Sequence, residues 1–300
     1  MIWQIIKNLL IFLLIVLGFI LILLLPKERE MIYIGPGTFE AHYPFTWDLY
    51  KANINEFIDY FQTENGFGKS RTGSPMGEEV ERLFKRSLNI VIPAYLLSMI
   101  FGTIVGVLQF YFRKSKRGKV HAFFSWIFSS IPDFFLYIAI QYALIKLMRA
   151  GFPQFDLYGH ENWYSFIMPL IVITIFPYLH MVKFTSASLA NEMGQEYLRT
   201  AYAKGVGHVK ALKHMLWNCW STIINQSQLV MIYILSSLPI IEKLSSYNGA
   251  GYQLLESILK QDAVRALAFI IPFLGLMFIV IVVSQMIKYR LIPKEVREEG

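Results

Sequence analysis

An all-α polytopic membrane protein of about six transmembrane helices is the fold class this sequence predicts, on three observations. Hydrophobic residues fill 55% of the 300 positions and charged residues only 16%, with a mean hydropathy of +0.45; that is more apolar surface than one water-soluble core can bury. The apolar residues gather in runs near the ~20 residues that cross a hydrocarbon layer. Lysines and arginines collect in alternate loops between the runs, as membrane orientation requires. Those loops, rather than nucleic-acid binding, account for the formal net charge of +7. Cys219 is the single cysteine, which excludes an intrachain disulfide and a cysteine-based metal cluster.

The first apolar run, Leu9 to Leu25, follows Lys7 and ends in Pro26-Lys27-Glu28-Arg29 without the small-residue site of a cleaved signal. Residues 1–26 therefore read as an anchor helix. Residues 27–86 carry ten acidic and eight basic side chains, too many for hydrocarbon. Within them Trp47, Tyr50, Ile54, Phe57, Ile58 and Phe61 recur at helical spacing behind a Thr46 cap, which predicts an amphipathic helix on a protein or membrane surface. The Gly-rich stretch 66–77 reads as loop.

Residues 87–300 hold the remaining five spans, roughly Asn89–Phe112, Ala122–Leu147, Phe166–Ser186, Trp217–Ile241 and Ala266–Ile287. Arg113, Lys114, Lys116, Arg117 and Lys119 give one loop five bases and no acid. The segment 192–214 sets Arg199, Lys204, Lys210 and Lys213 against Glu192 and Glu196, and the C-terminal tail is weakly basic. The loops 149–163 and 242–265 balance their charges or lean acidic. The positive-inside rule then places both termini in the cytoplasm and segment 27–86 outside.

The most informative segment is Glu196-Tyr197-Leu198-Arg199-Thr200-Ala201-Tyr202-Ala203-Lys204-Gly205, too polar to span yet set between two spans. Small residues at 201, 203 and 205 let another surface approach, Gly205 permits a sharp turn, and Arg199, Lys204, Lys210 and Lys213 supply charge for an acidic partner. Composition alone also fits an ordinary basic loop. The run Tyr197, Arg199, Thr200, Ala201, Ala203, Lys204 and Gly205, followed by His214 and Asn218, resembles the cytoplasmic coupling loop of binding-protein-dependent ABC permeases of the oligopeptide, dipeptide and nickel branch. Further stretches are similar to that branch in the same order: Gly66-Phe67-Gly68-Lys69-Ser70 with Glu81-Arg82-Leu83, Ser130-Ile131-Pro132-Asp133-Phe134, and Glu242 with Gly249-Ala250-Gly251 and Asp262. Three stretches depart from it. Ser284-Gln285 stands where the family's last span carries an aspartate, Leu291 to Arg297 replaces an Asp-Pro-Arg ending, and Tyr247-Asn248-Gly249 replaces an aromatic-Pro-Gly.

The resemblance implies a permease subunit of an ATP-driven importer that works by alternating access in the cell membrane. It implies coupling through Glu196, Tyr197, Arg199, Thr200, Ala201, Ala203, Lys204 and Gly205. The implied partners are two ATP-binding subunits, a second homologous permease and an extracytoplasmic substrate-binding protein. Di- or oligopeptides are the expected cargo, with nickel or a metal chelate as the alternative. Gly68-Lys69-Ser70 is no phosphate-binding loop, because Thr63 stands where a glycine is required and no apolar strand precedes it. ATP and magnesium are accordingly expected on the partner ATPases, with no cofactor, metal or catalytic residue in this chain.

Candidate path residues come from two spans. Ser221, Asn225, Gln228 and Ser236 recur at helical spacing, and two readings stay open: a water-filled path or hydrogen-bonded helix contact. Asp133, beside Pro132 near the middle of the third predicted span, must face a polar interior, face another subunit, or hold a proton. Lys146 and Lys183 are expected to snorkel, and His180 has no ligand-spaced partner for a metal. An ATP-independent secondary transporter or channel using Asp133 as an ion site is the rival from another class. An intramembrane enzyme is disfavoured, since no aspartate pair, His-Glu-x-x-His or Ser-His pairing occurs in the spans.

Overall fold

The computed structural model describes residues 2–26, 30–42, 44–70, 73–156 and 158–291; most of the weakly basic tail lies outside them. Helix α1 (Ile2–Leu23) is apolar all round from Leu9 onward and packs on the last helix, α10 (Ala263–Leu291). The Asn8 amide donates to Gln285 Oε1 at 2.7 Å and the Phe12 and Phe278 rings lie 4.9 Å apart. Gln285, one of the departures from the family pattern, thus ties the anchor to the bundle.

A hairpin of β1 (Glu30–Gly35) and β2 (Thr38–His42) follows, an addition to the all-helical expectation. Gly37 at φ +77° makes its turn. Helix α2 (Trp47–Thr63) forms as predicted, with Thr46 Oγ1 accepting from the Leu49 N–H at 3.3 Å. Its Tyr50 hydroxyl and Asn53 amide donate to the carbonyls of Leu21 and Leu24, at 2.9 and 3.3 Å. These acceptors belong to the end of α1, where helical partners run out, so α2 lies against α1 through polar caps.

Helix α3 (Met76–Tyr111) begins well before the apolar span, so the predicted boundary between residues 86 and 87 falls inside one helix. Its first three turns are polar on one side, but Met76 and Leu83 are buried, and tertiary packing extends the helix beyond the predicted span.

The predicted span Ala122–Leu147 is not one helix. It is α4 (Lys116–Phe128) and α5 (Asp133–Arg149), meeting at 102°. The break has a local cause. The hydroxyls of Ser129 and Ser130 both fold back onto Trp126 O, at 2.9 and 3.0 Å, while Pro132 lacks an N–H and disfavours helix at the residue before it. Among the described residues five helices are long and apolar enough to cross a membrane, and a sixth span exists if the bent pair counts as one.

Helix α6 (Ile167–Glu192) lies against α3 along most of its length. Ser98, Gly102 and Gly106 form a small-residue strip there. A Cβ at Gly106 would sit 2.8 Å from Val182 O, and one at Gly102 would sit 3.1 Å from Tyr178 O, so only glycine admits this approach. The short α7 (Glu196–Ala203), the long α8 (His208–Leu244) and the short α9 (Ala250–Leu259) complete the order of helices. Buried Ile90, Val91, Met181, Ile223, Ile234 and Phe269 join α3, α6, α8 and α10 into one core.

Candidate functional site

The segment 192–214 folds as a helical elbow. Gln195 is extended, α7 runs eight residues, and Lys204 closes it. Gly205 then takes φ +79°. The Val206 N–H reaches back to Ala201 O at 3.0 Å and the Gly205 N–H to Tyr202 O at 2.9 Å, the paired bonds of a Schellman turn. Gly207 is extended ahead of α8, and the Tyr202 and His208 rings meet across the joint at 5.6 Å.

Leu198 anchors this elbow, being 1% exposed in the same core cluster as Ala211 and Met215 of α8. The rest of α7 faces outward. Glu196, Tyr197, Arg199, Thr200, Ala203, Lys204 and Gly205 are exposed and Ala201 is half-buried. Glu196 lies in the first turn, where a negative charge suits the helix dipole. The Tyr197 hydroxyl donates to Glu192 Oε2 at 2.5 Å, and burial, with that carboxylate second, pushes its phenol up to about 12. The predicted coupling residues therefore share one short exposed helix, locked to α8 by a single buried side chain and a glycine turn.

The predicted path residues of α8 share one side of the helix but differ in exposure. Asn225 and Ser236 lie on an exposed strip of α8 with Asn218, Thr222, Ile232 and Ile240. Ser221 is half-buried beside them, whereas the Gln228 amide is turned toward α10 and donates to Ser284 Oγ at 3.4 Å. Asn225 and Gln228 are about 60° apart around the helix, which divides the two readings between them. Asp133 is the first residue of α5, half-buried, and its Oδ1 accepts from the Phe134 N–H at 2.8 Å. It serves the start of a helix at the break, not the middle of a span, and the dipole there offsets part of its charge.

Three residues gained partners that their spacing did not announce. The Lys183 ammonium donates to Ser129 Oγ at 2.5 Å, at the α4–α5 break, instead of reaching toward a helix end. His180 Nε2 lies 3.0 Å from Gln226 Oε1. At the opposite end of α8 the fully buried Glu242 carboxylate accepts from the Ser87 hydroxyl at 2.6 Å and the Tyr252 N–H at 2.8 Å. The only sequence signals were ionisable side chains inside apolar runs; Ser87 gave none.

The spans and the elbow define a multi-pass α-helical membrane protein with a short helix projecting between two of its long ones. The chain belongs to the family of binding-protein-dependent transport system inner membrane components, whose family model matches residues 98–298. It is 25% identical over 201 residues to the glutathione transport system permease protein GsiC of Escherichia coli strain K12, covering 66% of this chain and 64% of that protein. It is 24% identical over the same length, with the same coverage, to GsiC of Salmonella choleraesuis strain SC-B67. The chain thus spans just under two thirds of the length of these relatives. The fold is similar to that of a solved inward-facing MetNI methionine ABC transporter, with a TM-score of 0.57 at 14% identity over 71% of this chain and 96% of that one.

Proposed function

We propose that this chain is the permease subunit of an ATP-driven importer that moves short peptides or peptide-like molecules inward by alternating access. The elbow carries the reading. A push on an exposed helix that is pinned by Leu198 and joined by a two-bond turn is handed directly to α8. That helix has 37 residues and is ~55 Å long, so a tilt at one end reaches the other. Two partner subunits hold ATP and magnesium and grip the exposed face of α7. A second homologous permease faces the strip bearing Asn225, with Ser221 and Gln228 at its edge and Asp133 near the bend, and a binding protein delivers cargo to the outer side. Both termini then lie in the cytoplasm and segment 27–86 outside. The names of the relatives support a peptide-like cargo, since glutathione is a tripeptide and methionine an amino acid.

Cross-linking the native complex tests this reading. With Cys219 replaced, Arg199→Cys and Ala203→Cys are expected to link to a co-purifying ATPase, and Trp163→Cys, beyond the other end of α8, is not. Mass spectrometry of the co-purified binding protein should find a short peptide. Absence of any ATPase link from α7 would overturn the coupling role, and a bound metal chelate would overturn the cargo.

A further inference from the structure

The face of α6 turned away from α3 holds a feature that neither coupling nor packing uses. His180 and Lys183 stand three residues apart on that face, both half-buried, nine or more residues from either end of α6. The flanks of this face are the α8 side chains Gln226 and Tyr233 and the α4–α5 break at Ser129. Phe176 meets Tyr233 edge-on at 4.9 Å, and Phe184 stacks on His180 at 6.1 Å. Polar side chains of α6 and α8 thus sit together with aromatic rings beside them.

Its hydrogen-bonding inventory is one-sided. An ammonium has three donors, and Ser129 Oγ takes one of those on Lys183. Gln226 uses its amide oxygen toward His180, and among the described residues no protein acceptor takes its NH2. No carboxylate lies within ion-pair distance of Lys183 or His180 among the described residues; the Asp133 carboxylate accepts from the Phe134 N–H of its own helix. Lipid tails offer such donors nothing.

We propose that Lys183, His180 and Gln226 form a subsite for the carboxylate of the cargo on its way through the membrane. Lys183 supplies the charge and Gln226 the neutral donors. His180 orients Gln226 through the 3.0 Å contact and is a positioning residue, while the aromatic rings hold the apolar part of the molecule. This deepens the peptide-import reading and rests on it.

The test compares trialanine with its C-terminal amide, using the complete transporter with its partner subunits in proteoliposomes. The wild-type complex is expected to import the free acid about tenfold better than the amide, because a site built for a charged acceptor leaves its donors unpaired with the neutral analogue. Lys183→Met should bring that ratio near one, Lys183→Arg should keep it, and Gln226→Met should lower it by raising KM for the acid. The ratio does not depend on how much protein folds, so a poorly produced variant still reports. A ratio unchanged in both Lys183→Met and Gln226→Met overturns the subsite while peptide import stands. So does loss of the second permease from the Lys183→Met complex in place of a changed ratio, which would assign the cation to a subunit contact. Failure of the wild-type complex to import either peptide overturns the peptide reading and the subsite with it.

Discussion

Ser87 on α3 and Glu242 on α8 lie 155 positions apart in the chain and meet at 2.6 Å in a fully buried contact. Their common task is the first turn of α9. The Ala250 N–H donates to Ser87 Oγ and the Tyr252 N–H to Glu242 Oε2, both at 2.8 Å. Gly249 at the cap position has no side chain to do this, and a Cβ there would collide with the Glu242 carboxylate and the Ser87 hydroxyl. Two other helices therefore cap α9, a role its own sequence leaves open. Nearby, Arg265 forks onto Glu79 at 2.8 and 3.3 Å, fastening α10 to the start of α3.

Removing the acceptor should be expensive. Glu242→Ala strands a buried hydroxyl and a buried N–H, at about 1–3 kcal/mol for each unsatisfied group. Glu242→Gln retains an acceptor oxygen and should lose roughly half as much. Thermal unfolding of the detergent-solubilised protein ranks them; equal melting temperatures for both variants and the parent would refute the capping role.

The small-residue strip gives a prediction of opposite signs. Gly106→Ala puts a Cβ 2.7 Å from the Thr185 Cβ and 2.8 Å from Val182 O. Backbone cannot yield there, so about 1–3 kcal/mol of overpacking is expected. Gly275→Ala on α10 meets nothing within 4 Å and should stabilise by roughly 0.5–1 kcal/mol, as Ala does over Gly inside a helix. Guanidinium-free thermal shifts on the two variants check both signs at once.

These contacts mark where the sequence stops being legible. The Thr46 cap and the aromatic spacing of α2 are local patterns, and the helix follows them. The elbow is equally local, since a glycine at 205 permits the left-handed turn that ends α7. The third predicted span is bent rather than straight: residues 122–147 are apolar enough on average to read as one run, while two serines fold onto Trp126 O ahead of Pro132 and break the helix there. The polar stripe of α8 divides for a geometric reason: side chains three positions apart differ enough in direction for one to reach Ser284 and the other to stay open. Lys183 sits near the end of its predicted span, which points to snorkelling, and instead it bonds Ser129, a partner supplied by tertiary structure alone.

Tyr197 offers a titration. Its folded-state phenol is raised to about 12 by burial, with the Glu192 carboxylate second, above the ordinary value of about 10. The stabilisation is therefore complete below pH ~10 and drains away as pH rises toward 12. Tyr197→Phe should abolish that part of the alkaline loss and cost only about 0.5–1 kcal/mol at neutral pH, because the side chain is 37% exposed and solvent screens the pair. A difference absorbance titration of the parent against Tyr197→Phe reads it; a missing phenol that titrates near 10 would contradict the Tyr197–Glu192 bond.

Gly205 separates two ways in which the elbow could matter. A Cβ there meets open space, so within this chain the only obstacle to a side chain is the φ of +79°, which costs a non-glycine residue about 1–2 kcal/mol and asparagine less. If Gly205 serves the turn itself, transport per ATP hydrolysed should fall in the order Gly205→Asn, Gly205→Ala, Gly205→Val. Asparagine would then be tolerated better than the smaller alanine, with α7 fraying as the left-handed state becomes harder to hold. If Gly205 instead makes room for a docked subunit, the losses should follow volume and alanine should be mildest. Measuring uptake and ATP turnover together in the assembled complex distinguishes them, and an order that follows size would assign the glycine to the interface rather than to the lever.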